Sequence, residues 1–453
     1  MKKTVILLGI FLALLAFVYF YEYKGGLTRE KAREEASSLL KMDEDDVESV
    51  TLIRAGGDTL AYVRGDQGAW RIVSPVATPA DESSIRASIS AFTHATIKRR
   101  WTASTGTLGD YGLNPPDAEV HVRARDGTER RLLVGSETAS RGDIFASLGD
   151  GQGKDSTEIV VTASTVRVQA TKSLFDLRDK KIAHFDDGRV IKVDLNSDEG
   201  NIILEKSDGE WTMVAPRDLR VDDSRVTGYL RSLKNYSAKA FVSERWEDEA
   251  LFGFNAPAIR IKLTLGEERS TKEIVVGKLV EEEKAYYAHE SGRSPVFLIR
   301  ESTFKAMTKT PFYFEERKLV HVEKEKTSEI RFSGAYRWTL VREDTLGWYA
   351  HGDTSLKIEG SRMDRLFSNL RSFRVTDLVT YDPGDLASYG LSVPFLEVVL
   401  IDTTGEQSGF EIGDPFDDDR YVKRRDFPFV YSVPVSQVER ITRWLEELAG
   451  EES

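Results

Sequence analysis

The sequence predicts an α+β protein: an N-terminal transmembrane helix followed by three tandem, mostly antiparallel α+β repeats. Three observations lead there. An uncharged stretch of bilayer length runs from Thr4 to Tyr21. Four landmarks recur three times in one order, far apart in the chain. Each copy combines short alternating runs with one segment of helical period.

Composition sets the outer bounds. A length of 453 residues is enough for about three domains. A hydrophobic fraction of 40% with 30% charge describes globular cores and solvated surfaces, not disorder. The net charge of −12 repels nucleic-acid phosphates, and it grows more negative without Lys2 and Lys3. The nearest basic cluster, Lys98-Arg99-Arg100-Trp101, reads as a strand end. Cysteine is absent, which excludes disulfides, thiolate zinc sites, iron–sulfur clusters and cysteine nucleophiles.

Residues 1–3 read as a cytoplasmic tip and 4–23 as a transmembrane anchor. Eighteen helical positions span roughly 27 Å, close to the roughly 30 Å of a bilayer core. Tyr19, Tyr21 and Tyr23 fall where an interfacial aromatic belt sits. A cleavable signal would need small residues after the apolar run, where "AFVYFYEYK" offers bulky aromatics. A lipoprotein signal would need a cysteine. Lys2 and Lys3 favour a cytoplasmic N-terminus, with the bulk of the chain extracytoplasmic. Residues 24–46 are expected to form a charged helical connector.

The repeats follow at 47–186, 187–326 and 327–453. Trp70, Trp211 and Trp348 open the pattern, and Leu113, Phe254 and Leu391 each lie 43 residues further on. Each is preceded by an aromatic-glycine pair: Tyr111-Gly112, Phe252-Gly253 and Tyr389-Gly390. Pro116, Pro257 and Pro394 come three positions later, then strands ending at Gly135, Gly277 and Gly413. A pitch of 141 and then 137 residues is domain-sized, well beyond the roughly 20–50 residues of solenoid units. Within each copy two short β-patterned runs read as a hairpin. Ile85, Ile89 and Phe92 then mark one helix face, as do Val226, Leu230 and Leu233, and Met363, Phe367 and Leu370. The aromatic-Gly-apolar corner uses glycine for φ > 0 or close approach, with the aromatic plugged onto the core. The proline suits the first position of the next strand, where Ile259, Ile261, Leu263 and Leu265 alternate with Arg260, Lys262 and Thr264. One tryptophan per block at a strand end reads as core; a sugar-stacking platform is the alternative.

The pattern W-x-x-x-x-P, helix, aromatic-Gly-Leu-x-x-Pro, strand, "VG", then "LRDKKI" at 177–182 resembles the bacterial domain-of-unknown-function family forty-three-forty. "FEERKLV" at 314–320 repeats the last element, and the likeness covers roughly residues 47–453. The third copy lacks the proline after Trp348, and the second carries Phe254 for leucine. The resemblance implies a protein of the bacterial inner membrane, encoded beside gliding-motility-type ABC transporters and their auxiliary subunits. It supplies no catalytic residues.

Chemistry is sparse. The six histidines show no metal spacing such as H-E-x-x-H. "GDGQGKDST" at 149–157 fails as a phosphate loop, since Leu148 replaces the first glycine and Asp155 follows Lys154. "GDPFDDDR" at 413–420 lacks the glycine and terminal glutamate of a calcium loop. No G-x-S-x-G elbow occurs. The sequence therefore assigns no catalytic, cofactor-binding or metal residue. It points to a non-catalytic, membrane-anchored accessory protein that binds a transporter permease or auxiliary subunit, with no nucleic acid. The alternatives are an envelope-polymer hydrolase with carboxylates converging between repeats, and a glycan-binding scaffold.

Overall fold

The computed structural model describes residue 19 and residues 37–149, 156–245, 248–266, 268–343, 347–351 and 355–450. The chain divides into two compact units, Met1–Lys181 with Ser237–Phe241, and Ile182–Tyr236 with Val242–Ser453. Three nine-stranded sheets make up its bulk.

The first sheet comprises β1 (Val47–Arg54), β2 (Thr59–Arg64), β3 (Trp70–Ser74), β4 (Thr78–Pro79), β5 (Arg99–Ser104), β6 (Ala118–Ala124), β7 (Glu129–Glu137), β8 (Asp143–Leu148) and β9 (Ser156–Ala163). Its order is β4-β3-β2-β1-β6-β7-β8-β9-β5. The second comprises β10 (Val190–Ser197), β11 (Gly200–Ser207), β12 (Glu210–Ala215), β13 (Leu219–Arg220), β14 (Ala240–Ser243), β15 (Ile259–Leu265), β16 (Ser270–Val280), β17 (Ala285–Glu290) and β18 (Val296–Arg300). The third comprises β19 (Thr327–Gly334), β20 (Trp338–Glu343), β21 (Gly347–His351), β22 (Ser355–Ile358), β23 (Asp377–Thr380), β24 (Leu396–Asp402), β25 (Gln407–Phe416), β26 (Asp419–Arg424) and β27 (Val430–Pro434). Both repeat the order of the first. Each sheet is two four-stranded meanders laid side by side, joined antiparallel through β1 and β6, β10 and β15, or β19 and β24, with a ninth strand, β5, β14 or β23, at the far edge of the second meander.

The fold class is thus mostly β, which corrects the α+β expectation. Each repeat holds nine strands against one helix of 12 or 13 residues between its meanders: Glu82–Thr93, Asp223–Asn235 and Gly360–Ser372. The expectation undercounted edge strands. The two- to four-residue strands β4, β13, β14, β22 and β23 are too short to show a clear alternation of their own, and β5 shows only as the strand end from Lys98 to Trp101. The first two repeats close on helical pieces of four to seven residues; the third ends on the longer helix Val435–Gly450. The described residues do not include the expected N-terminal transmembrane helix, and among them no helix is long and apolar enough to cross a membrane. Apart from Tyr19, the anchor at 4–23 lies outside the described residues, as does the connector up to residue 36. The remainder of the connector packs Leu39 and Leu40 into the first core.

Alternation decides which face is covered. β1 buries Val47, Val50 and Leu52 and turns Ser49, Thr51 and Ile53 outward. The helix positions marked by period (Ile85, Ile89 and Phe92, with their counterparts) are all buried. Asp81 and Asp222 cap the first two of these helices, accepting from Ser84 and Ser224 backbone N–H groups. A carboxylate in each first turn, Glu82 or Asp223, accepts the N–H of Trp70 or Trp211 at 2.6 and 3.0 Å.

The recurring corner is a lock between two glycines. Gly112, Gly253 and Gly390 are left-handed, with φ of 65°, 77° and 66°. A Cβ there would meet the backbone N of Ser136, Lys278 or Asp414 at 2.7–2.8 Å. Those residues directly follow Gly135, Gly277 and Gly413. A Cβ on each of these would in turn collide with the carbonyl oxygen of Tyr111, Phe252 or Tyr389. The strand bulges where the corner presses in, between Val134 and Glu137, Val276 and Leu279, and Ile412 and Pro415. Each corner aromatic then meets a strand aromatic edge-on: Tyr111–Phe145 and Phe252–Tyr287 at 5.1 Å, Tyr389–Tyr421 at 5.0 Å. Pro116, Pro257 and Pro394 sit two residues ahead of β6, β15 and β24, not at their first positions.

Candidate functional surfaces on the open sheet faces

Trp70, Trp211 and Trp348 are 3%, 5% and 4% exposed. Tyr62 meets Trp70, and Phe367 meets Trp348, edge-on. These rings are core, so they offer no platform on which a sugar could stack. Together with the corner glycines and prolines, the nine landmark residues serve the repeat's architecture.

The polar faces opposite the helices are different. A groove of about 960 Å³ crosses β1, β6 and β7. Grooves of about 460 and 610 Å³ lie on the second and third sheets. Pairing registers align the three: Val50 opposite Val122 matches Val193 opposite Leu263 and Ile330 opposite Leu400. In that frame three positions line every groove: Thr51, Asp194 and Arg331; His121, Lys262 and Val399; Glu129, Thr271 and Gln407. The same place on the sheet is therefore grooved in all three repeats, with different side chains at the shared positions.

Charge on these faces is organised in cross-strand pairs. Arg131 grips Glu119 through two nitrogens, its Nη2 at 2.8 Å, and His121 approaches the same carboxylate. The Arg131 hydrogen bond is the largest influence holding the Glu119 carboxyl below its ordinary range. At the equivalent place in the second sheet the polarity is inverted, with Arg260 paired to Glu273. In the third, Gly409 occupies the position of Arg131 and Glu273. The cation comes instead from Arg425, which bonds backbone to backbone with Gly409 and pairs with Glu397. A Cβ on Gly409 would collide with the Val398 carbonyl oxygen, which requires glycine there, and would stand 3.1 Å from the Arg425 Cδ, so its absence also leaves the lane for that side chain.

A second set of residues marks the ends of the first two repeats. Arg178 forms an isolated bridge with Ala80, and Glu315 one with Val221; Lys181 bridges Ser237, and Lys318 bridges Arg374. The matching buried residues carry opposite charges. Arg178 is 2% exposed, its guanidinium 3.6 Å from the centroid of Phe241. Glu315 is 1% exposed and accepts from the hydroxyls of Tyr431 and, at 3.2 Å, Tyr381. Burial pushes its carboxyl above the ordinary range, against the pull of Tyr431 and Arg424. Tyrosines and an arginine surround this acid, an arrangement that locks a junction. The paired carboxylates of a glycosidase site are not what Glu315 finds there.

Among the described residues no three His, Asp or Glu side chains gather as a metal site. The glycine-rich stretch at 149–157 lies mostly outside the described residues. The 413–420 stretch is the β25–β26 hairpin, with Asp417 left-handed at its tip. The sequence reading missed the grooves because their walls come from strands some 70 residues apart. The alternation of Arg260, Lys262 and Thr264 was the one local sign.

Fold and surfaces together define a tandem-repeat β-sheet protein with one polar groove per repeat. By sequence the chain belongs to the domain-of-unknown-function family DUF4340, whose model matches residues 70–212, 211–357 and 348–448. Each match begins at or beside a landmark tryptophan, so its frame starts at the third strand of one sheet and runs toward the next. No curated protein and no solved structure matches the chain.

Proposed function

We propose that the chain is a membrane-tethered, extracytoplasmic accessory protein that binds a component of an ABC-type transporter or another envelope complex through its open sheet faces. The carrying observation is the threefold repetition of one groove at equivalent positions. Triplicate surfaces suit multivalent holding, where linked weak contacts add into firm attachment. The tether reading rests on the uncharged stretch Thr4–Tyr21 behind Lys2 and Lys3. The partner class rests on the genomic company expected for this family.

The test is affinity purification of the tagged full chain from detergent-solubilised membranes. A permease or auxiliary subunit should co-purify in fixed ratio. Reproducible recovery of the chain alone would count against the proposal. Extraction of the chain from membranes by alkaline carbonate would remove the tether.

A further inference from the structure

We infer that the three sheet-face grooves are sites for extended, carboxylate-rich segments of a partner protein. This deepens the binding reading above and rests on it. The argument starts from charge. The chain carries 63 basic and 75 acidic residues, yet each groove reverses that balance. The first is lined by Lys41, Arg123, Arg130 and Arg131 against Glu129. The second has Lys192, Lys206, Lys262 and Arg269 against Asp194 and Glu205. The third has Arg331, Arg337 and Arg425 against Glu397. A basic excess thus arises in all three grooves of an acidic protein, although the cations stand at different positions in each.

Internal pairing does not exhaust it. Arg123, Arg131, Lys192, Arg331 and Arg425 have acidic partners on the same face. Lys41, Arg130, Lys206, Lys262, Arg269 and Arg337 have no ion pair among the described residues. Every groove thus keeps at least one uncommitted cation beside the paired ones. The paired cations hold fixed orientations, and the lysines and arginines without an ion pair supply mobile charge.

Geometry selects the ligand class. The grooves lie over central strands whose backbone groups are bonded on both sides, as β1 is to β2 and β6. An arriving chain therefore gains no strand-edge hydrogen bonds, and recognition falls to side chains. Aromatic platforms for sugar rings are missing: the first two grooves have no aromatic carbocycle in their lining, and Phe332 and Trp338 in the third are 3% and 6% exposed. Carboxylates on a flexible peptide match what remains, namely dispersed guanidinium and ammonium groups along an open trough.

The experiment measures fluorescence anisotropy of labelled decaglutamate with the full chain in detergent micelles. Binding is expected in about 50 mM salt and should weaken roughly tenfold or more in about 0.5 M salt. The combined charge reversals Arg130→Glu, Lys262→Glu and Arg337→Glu should weaken it roughly tenfold, while circular dichroism melts stay unchanged. A single reversal in one groove should have a smaller effect. No binding at low salt, or equal binding by the triple variant, overturns the inference. So does displacement by acidic oligogalacturonate at lower concentration than by decaglutamate, which would make the ligand a glycan. If the triple variant still co-purifies with its membrane partner, this inference falls while the accessory function stands.

Discussion

Replacing Gly277 with alanine should destabilise the second repeat severely, although it adds only one methyl group. Gly277 lies in β16 with ordinary backbone dihedrals, so conformational strain is not the issue. The Cβ would run into the Phe252 carbonyl and stand 3.0 Å from the Phe254 Cδ1. The overlap with the carbonyl is roughly 1 Å against a normal contact, and neither group is the free end of a flexible chain. Relief requires the corner to lift from the bulge. That overpacking costs about 1–3 kcal/mol, and loosening the Phe252–Tyr287 pair adds about 0.5–1.5 kcal/mol. A total near 3 kcal/mol is expected. Gly228→Ala is the internal control: it lies in the helix Asp223–Asn235 with nothing within 4 Å of the new Cβ. It should stabilise by about 0.5–1 kcal/mol. Urea unfolding followed by tryptophan fluorescence reads both, with Trp211 buried in the affected repeat. A Gly277→Ala transition within about 0.5 kcal/mol of the parent would refute the glycine lock. Gly135→Ala and Gly413→Ala should repeat the loss in their own repeats.

Other expectations can be checked alongside. Trp211→Ala should cost about 3–5 kcal/mol, and acrylamide should quench the parent rings poorly. Exchanging Arg260 and Glu273 should restore most of the roughly 0.5–1 kcal/mol lost in either single reversal, since the first sheet already uses the inverted pair. A double-mutant cycle with no coupling would contradict this. Because burial raises the folded-state affinity of Glu315 for its proton, the unfolded chain releases that proton first as pH rises. Stability should therefore fall from the ordinary carboxylate range upward through the raised value. Thermal melts of Glu315→Gln between about pH 4 and 8 should lack that slope; an unchanged slope would place the titration elsewhere.

Much of the repeat was legible in the sequence because its signals are local. The helix faces, the hairpins and the corner glycines each announce themselves within a few residues. Gly112 and Gly135 could be marked as landmarks, but not as partners, because their contact spans 23 positions and depends on a bulge. Strand order was likewise out of reach. Nothing local says that β1 leaves β2 on one side and takes β6 on the other, and that pairing builds the grooves. The edge strands β4, β13 and β22 hold only two to four residues, too few for a period. Hence the class read as α+β where nine strands per repeat make it mostly β. Buried Arg178 and Glu315 were written inside a motif recognised for its spacing, yet their opposite charges carried no hint of burial. The sequence-level family frame also begins at the tryptophans, one hairpin inside the sheet it describes.

The central claim is that equivalent sheet-face grooves hold the partner. Photo-cross-linking in cells tests it directly, with a photoreactive residue placed in turn at Thr51, Lys262 and Gln407, and at exposed Val168 and Leu251 away from the grooves. The account expects a discrete adduct with one membrane protein or its acidic subunit from groove positions and none from the controls. Adducts from Val168 or Leu251 with silence at all three grooves would contradict it.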